Sequence, residues 1–170
     1  MGLPKKKYHD LTLDELHWAE AIAIERYLHK RQHGYPDELA KDDNPIQNDT
    51  FALEAEIAAA RCFDVEPNLE VGMTEPYDLI VNTWKIDVKN VTQGKDYITI
   101  RGDKPSKVSY YLAMVTPEDK PFRYELAGLL PAHILSDFRL RRGIRDGAPP
   151  YYLVKLHQMQ HDYSVLELPF

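Results

Sequence analysis

The stretch that most constrains this chain is 75–91, EPYDLIVNTWKIDVKNV, because strand geometry alone can gather two acids and a lysine on one side of a hairpin. Residues 77–82 read as a strand, Thr83 and Trp84 as the turn, and 85–91 as a returning strand rich in β-branched side chains. Setting Asn82 opposite Lys85 pairs Val81 with Ile86, Ile80 with Asp87, Leu79 with Val88 and Asp78 with Lys89. Successive strand residues face opposite ways. Leu79, Val81, Ile86 and Val88 therefore form an apolar face, and Asp78, Asp87 and Lys89 share the other with Ile80.

Two carboxylates and an ammonium on a half-buried sheet face lose hydration that something must replace. A divalent cation does so. Asp78, Asp87 and the main-chain carbonyl of Val88 offer the hard oxygens that Mg²⁺ prefers, with positions left for water and a phosphate oxygen. Lys89, beside such an ion, is placed to steer or deprotonate a water or to neutralise a phosphate.

The pattern Pro76-Tyr77-Asp78, followed nine residues after the aspartate by Asp87-Val88-Lys89, resembles the PD-(D/E)xK nuclease superfamily, departing from the literal motif at Tyr77. That family also carries a glutamate on the helix before the hairpin. The segment ALEAEIAAAR within 48–63 is similar to that helix, with Glu56 as the match and Glu54 as the second candidate. The resemblance spans 48–130. It implies an α/β fold with a restriction-endonuclease-like core, a mixed β-sheet flanked by helices, and an N-terminal helical extension, divided as 1–47 (helix and linker) and 48–170 (core). It implies Glu56, Asp78, Asp87 and Lys89 as catalytic residues, Glu56, Asp78, Asp87 and Val88 as ligands of Mg²⁺ or Mn²⁺, and DNA as the partner. Small stand-alone proteins of this kind are often encoded by phages or mobile elements.

The remaining sequence fits one domain with a real core: 170 residues, 44% apolar and 28% charged. A single cysteine, Cys62, excludes an internal disulfide framework and a cysteine-based zinc site, and reads as a small core residue in a reducing cytoplasm. No apolar run approaches a membrane span, MGLPKKK is not followed by a signal-peptide core, and Lys6 stands against myristoylation. The net charge of −6 is acidic for a nucleic-acid enzyme, so local distribution of the basic residues matters more than their sum.

Thr12 and Glu15 form a capping-box signature, and Leu13, Leu16, Ala19, Ile22, Ala23 and Tyr27 recur at helical spacing, so a helix is expected to about His33, ending before Gly34 and Pro36. Residues 34–47 read as a linker. A second helix is expected from Asn48 or Asp49, with Phe51, Ala55, Ala58, Ala59, Cys62 and Phe63 as its apolar stripe and Glu56 beside that stripe. Strands are expected at 69–72, 97–101, 108–115 and 123–130, then a helix from Pro131 to about Phe138, then a final antiparallel pair at 151–156 and 163–168.

Arg101, Lys104 and Lys107 border the expected site, and Arg139, Arg141, Arg142 and Arg145 form the densest basic cluster; these seven are the candidate contacts to nucleic-acid phosphates. His157 and His161 have metal-pair spacing but lie in a strand-and-turn context without the glutamate of a zinc-protease helix. The functional expectation is a metal-dependent nuclease, most readily acting on DNA and possible as a homodimer for paired-strand cutting. The competing expectation is a catalytically inactive nucleic-acid-binding or assembly protein with the same fold.

Overall fold

The computed structural model describes residues 3–34, 44–72, 75–103 and 106–167. The chain opens with β1 (Tyr8–Asp10) and α1 (Leu13–Gln32). The capping box forms as its spacing implies: Thr12 Oγ1 accepts the Glu15 N–H at 3.2 Å, and the Glu15 carboxylate accepts the Thr12 N–H at 3.0 Å. Helix α2 (Pro45–Phe63) starts earlier than expected. The signal is Asn44, whose Oδ1 takes the Gln47 N–H at 3.1 Å, followed by proline in the first turn. It ends where Asp64 turns left-handed, with φ 57°.

Strands β2 (Leu79–Val81), β3 (Trp84–Asn90), β4 (Tyr97–Arg101), β5 (Tyr110–Val115) and β6 (Arg123–Pro131) follow, and then β7 (Leu140–Arg141) and β8 (Tyr151–Lys155). A five-stranded mixed sheet has the order β1-β6-β5-β3-β2, with β3 and β5 parallel and the other pairs antiparallel. A second sheet, β4-β8-β7, is antiparallel. The molecule is thus α/β, with a mixed sheet covered by α1 and α2 on one face. On that face Leu53, Ile57 and Cys62 of α2 meet Ile86, Val88, Leu112 and Met114. On the other face Ile98, Ile100 and Val154 of the small sheet meet Tyr111, Ala113 and Leu130. Residues before 47 share this core: Leu11, Ala19 and Ala23 are buried in it, and β1 pairs with β6.

The hairpin keeps its expected faces but not its expected pairing. Its turn is Asn82-Thr83, not Thr83-Trp84, so Val81 pairs with Trp84, Ile80 with Lys85 and Leu79 with Ile86. Asn82 sits at φ 55°, which two-residue hairpin turns favour, and its Nδ2 donates to the Leu166 carbonyl at 2.6 Å. The partner shift is two residues, an even number, so Leu79, Val81, Ile86 and Val88 are still buried together while Ile80 is exposed.

Three other expectations are corrected. Residues 69–72 form no strand; near them only Pro67 bridges to Leu79. The segment after Pro131 is a 3₁₀ turn, Ala132–Asp137, with Pro131 itself closing β6. Within 163–167 the chain makes a 3₁₀ turn, Ser164–Glu167, held by the Ser164 N–H and Oγ donating to Asp162 Oδ1, and Leu168 lies outside the described residues. β8 finds β4 and β7 instead of that segment. Among the described residues no helix is long and apolar enough to cross a membrane.

Candidate active site

Asp78 immediately precedes β2 and is clamped onto β3. Its N–H donates to the Ile86 carbonyl at 2.9 Å, and its Oδ2 accepts the Val88 N–H at 2.7 Å. These two bonds straddle Asp87, so Asp78 neighbours Asp87 and does not stand opposite Lys89, as a turn at Thr83-Trp84 would require. Lys89 pairs instead along its own strand, Nζ to Asp87 Oδ1 at 3.0 Å. Its Nζ lies 6.0 Å from the ring of Tyr111, the residue paired with Asp87 across the parallel β3-β5 ladder. Val88 touches this cluster through its N–H.

The two glutamates that the sequence left open are two residues apart on α2, which sets them on roughly opposite sides of the helix. Both are buried, at 7% exposure for Glu54 and 6% for Glu56, so Glu56 is not beside the buried face but on it. Glu54 Oε2 accepts the Tyr124 hydroxyl at 2.6 Å, which satisfies it within the core. Glu56 Oε2 is buried with no hydrogen-bond partner. Its electrostatic neighbours are Asp78, Arg26, Asp87 and Lys89.

Burial raises the Glu56 carboxyl well above the ordinary range, and Asp78 and Asp87 raise it further against Arg26 and Lys89. Asp78 is pushed up to about 7, first by burial and then by Asp87, against the Val88 N–H, Lys89 and Arg26. Lys89 goes the other way for an amine in a poorly solvated place. Desolvation lowers it, but Asp87 and the hydrogen bond to Asp87 outweigh that, and its pKa rises. Lys89 is thus held as an ammonium, a cation for an anionic oxygen and a poor base.

Arg26 is the member that the sequence reading missed. It projects from α1, the helix assigned to an extension, and its buried Nη2 has no acceptor. A signal was present: Ala19 and Ala23 are buried on α1, and Arg26 is the next position on that face, where a core residue is expected.

Among the described residues no three His, Cys, Asp or Glu side chains stand close enough to hold a metal ion as they are arranged, and this includes His157 and His161. The physical reason in the acid cluster is visible: Asp78 is turned to the Val88 N–H, and Asp87 to Lys89. In chemistry the set still suits a hard divalent cation, because its donors are carboxylate oxygens and Glu56 Oε2 is a buried acceptor without a donor.

Of the basic candidates, Arg101 and Arg145 line a groove of about 670 Å³ that also reaches Lys89. Arg101 is paired with Asp103, Nε to Oδ1 at 3.0 Å and Nη2 to Oδ2 at 2.6 Å. Lys107, Arg139, Arg141 and Arg142 are exposed and do not line it, and Lys104 lies outside the described residues. No protein-family model matches the chain, and neither the curated proteins nor the solved structures contain a significant match to it.

Proposed function

We propose that this chain is a metal-dependent nuclease with a restriction-endonuclease-like core, hydrolysing phosphodiester bonds in DNA with Mg²⁺ or Mn²⁺. One observation carries the proposal: a buried glutamate without a hydrogen-bond partner for Oε2, Glu56, lies within the electrostatic reach of Asp78 and Asp87, with the Lys89 ammonium 3.0 Å from Asp87. A bound divalent ion would supply charge neutralisation for these acids and for a phosphate, and a water acidified toward neutral pH. Glu56, Asp78 and Asp87 are the residues to hold it. Lys89, charged at neutral pH, binds a non-bridging phosphate oxygen and stabilises the charge that builds there. Asp87 orients Lys89 through their contact. The proton that burial keeps on the acids leaves when the ion enters, so binding is tighter at higher pH.

The test is nicking of supercoiled plasmid with Mg²⁺, Mn²⁺ or EDTA, together with thermal melts in millimolar Mg²⁺. Cleavage that EDTA stops, that Asp87→Asn abolishes and that Lys89→Ala reduces by about a hundredfold is expected. A melting point indifferent to the ion together with an intact plasmid would sink the proposal.

A catalytically inactive binding or assembly protein is the second reading, and the mutual pairing of Asp87 and Lys89 favours it, since each satisfies the other without a ligand. Binding of DNA that is unaltered by EDTA, with no cleavage of any substrate, would select it. Paired-strand cutting requires a second copy, which sedimentation of the protein with DNA would reveal.

A further inference from the structure

The groove that reaches Lys89 is built from a sheet face. Within β4 the side chains alternate, Ile98 and Ile100 into the core and Tyr97, Thr99 and Arg101 outward. The ladder sets Thr99 opposite Leu153 and Arg101 opposite Tyr151 of β8, and all four line the groove. Lys95 adds a cation, with its Nζ 5.5 Å from the Tyr97 ring, and Lys155 stands 5.4 Å from the same ring. The turn that carries Gly143, Arg145 and Pro149 also lines it. Among the described residues no carboxylate lines the groove itself, although Asp103 pairs with Arg101 and Asp96 with Lys155 at its edges.

From this arrangement we infer that the groove holds a single nucleic-acid strand leading to the acid cluster, with Lys95 and Arg145 on its phosphates and Tyr97 and Tyr151 stacked on its bases. The inference rests on the nuclease reading for what happens at the end of the groove, and on the groove itself for what enters it. Cations alone would suit any polyanion. Half-exposed phenol rings between them select unpaired bases, because a duplex keeps its base faces stacked on one another and offers the rings nothing. The volume, about 670 Å³, is that of a pocket for a drug-sized ligand and so seats about one or two nucleotides of a strand.

The experiment is fluorescence anisotropy of the full chain in EDTA, so that nothing is cut, with a labelled oligothymidylate, the RNA strand of matching sequence, and the annealed DNA duplex. The single strands are expected to bind about tenfold more tightly than the duplex, and the tighter of the two names the sugar. Lys95→Ala and Arg145→Ala, both at exposed side chains, should each weaken single-strand binding about fivefold and reduce its salt slope by about 0.7, the share of one phosphate on a single strand. Lys120→Ala, an exposed control outside the groove, should leave it unchanged. Tighter duplex binding, or equal losses in the control and the groove variants, overturns the inference. Plasmid cleavage without single-strand preference overturns the groove and leaves the nuclease. Groove-dependent strand binding without cleavage of any substrate supports the groove and removes the nuclease.

Discussion

Replacing Asp78 by asparagine should make the metal-free protein more stable at alkaline pH and remove much of its pH dependence. The Asp78 carboxyl stands at about 7 in the folded protein against an ordinary 3.8. A carboxyl raised on folding binds more protons in the native than in the unfolded state, so stability falls as pH rises between those two values and levels off above the higher one. A separation of about 3 pH units at about 1.4 kcal/mol each puts the cost of the ionised carboxylate at about 4 kcal/mol above pH 8. More than half of that falls between pH 5 and pH 8, so the wild type should lose about 2–3 kcal/mol across that range through this group.

The substituted amide would not titrate. Its oxygen can still accept the Val88 N–H, as the protonated wild-type carboxyl does at pH 5. Urea denaturation in EDTA at the two pH values measures the difference directly. Parallel pH profiles for wild type and Asp78→Asn would refute the reasoning, as would a variant that loses more stability than the wild type on going from pH 5 to pH 8. Saturating Mg²⁺ should flatten the wild-type profile alone, because a bound cation takes the place of the proton.

Arg26→Gln should tighten Mg²⁺ binding about fivefold by calorimetry, since a like charge leaves the surroundings of Glu56 and Asp78; weaker binding would show that Arg26 organises the acids instead. Glu15 lies in a junction between β1, α1 and α2, with His9 Nε2 at 2.8 Å and Arg61 Nε at 2.9 Å. Burial pushes its carboxyl up, but the Thr12 N–H, His9 and Arg61 outweigh that and hold it down at about 2. Glu15→Gln keeps a capping-box residue and should cost about 1–2 kcal/mol near neutral pH after solvent screening, with the cost fading as pH falls toward 2 because the wild type then loses the same charge. Gly128→Ala would bring a Cβ to within 2.7 Å of Met159 Cβ and should cost about 1–3 kcal/mol in the same denaturation assay.

What the sequence by itself determined is local and periodic. The capping box at Thr12, the strands at β4 and β6, and the separation of Leu79, Val81, Ile86 and Val88 from Asp87 and Lys89 all follow from residues within a few positions of one another. The face assignment survived a wrong turn because a slip of two residues returns every side chain to its own side.

Tertiary structure decided the rest. Which carboxylate Lys89 meets depends on where the turn falls, and that in turn on Asn82 taking a positive φ and reaching Leu166, far away in the chain. Whether Glu54 or Glu56 is left without a partner depends on Tyr124 of β6 claiming one of them. Arg26 enters the cluster only because α1 lies against α2, and β8 pairs with β4 only because both cover the far face of the large sheet. Each of these is a choice among partners distant in sequence, made by burial and hydrogen-bond satisfaction over the whole core, and no local period encodes it.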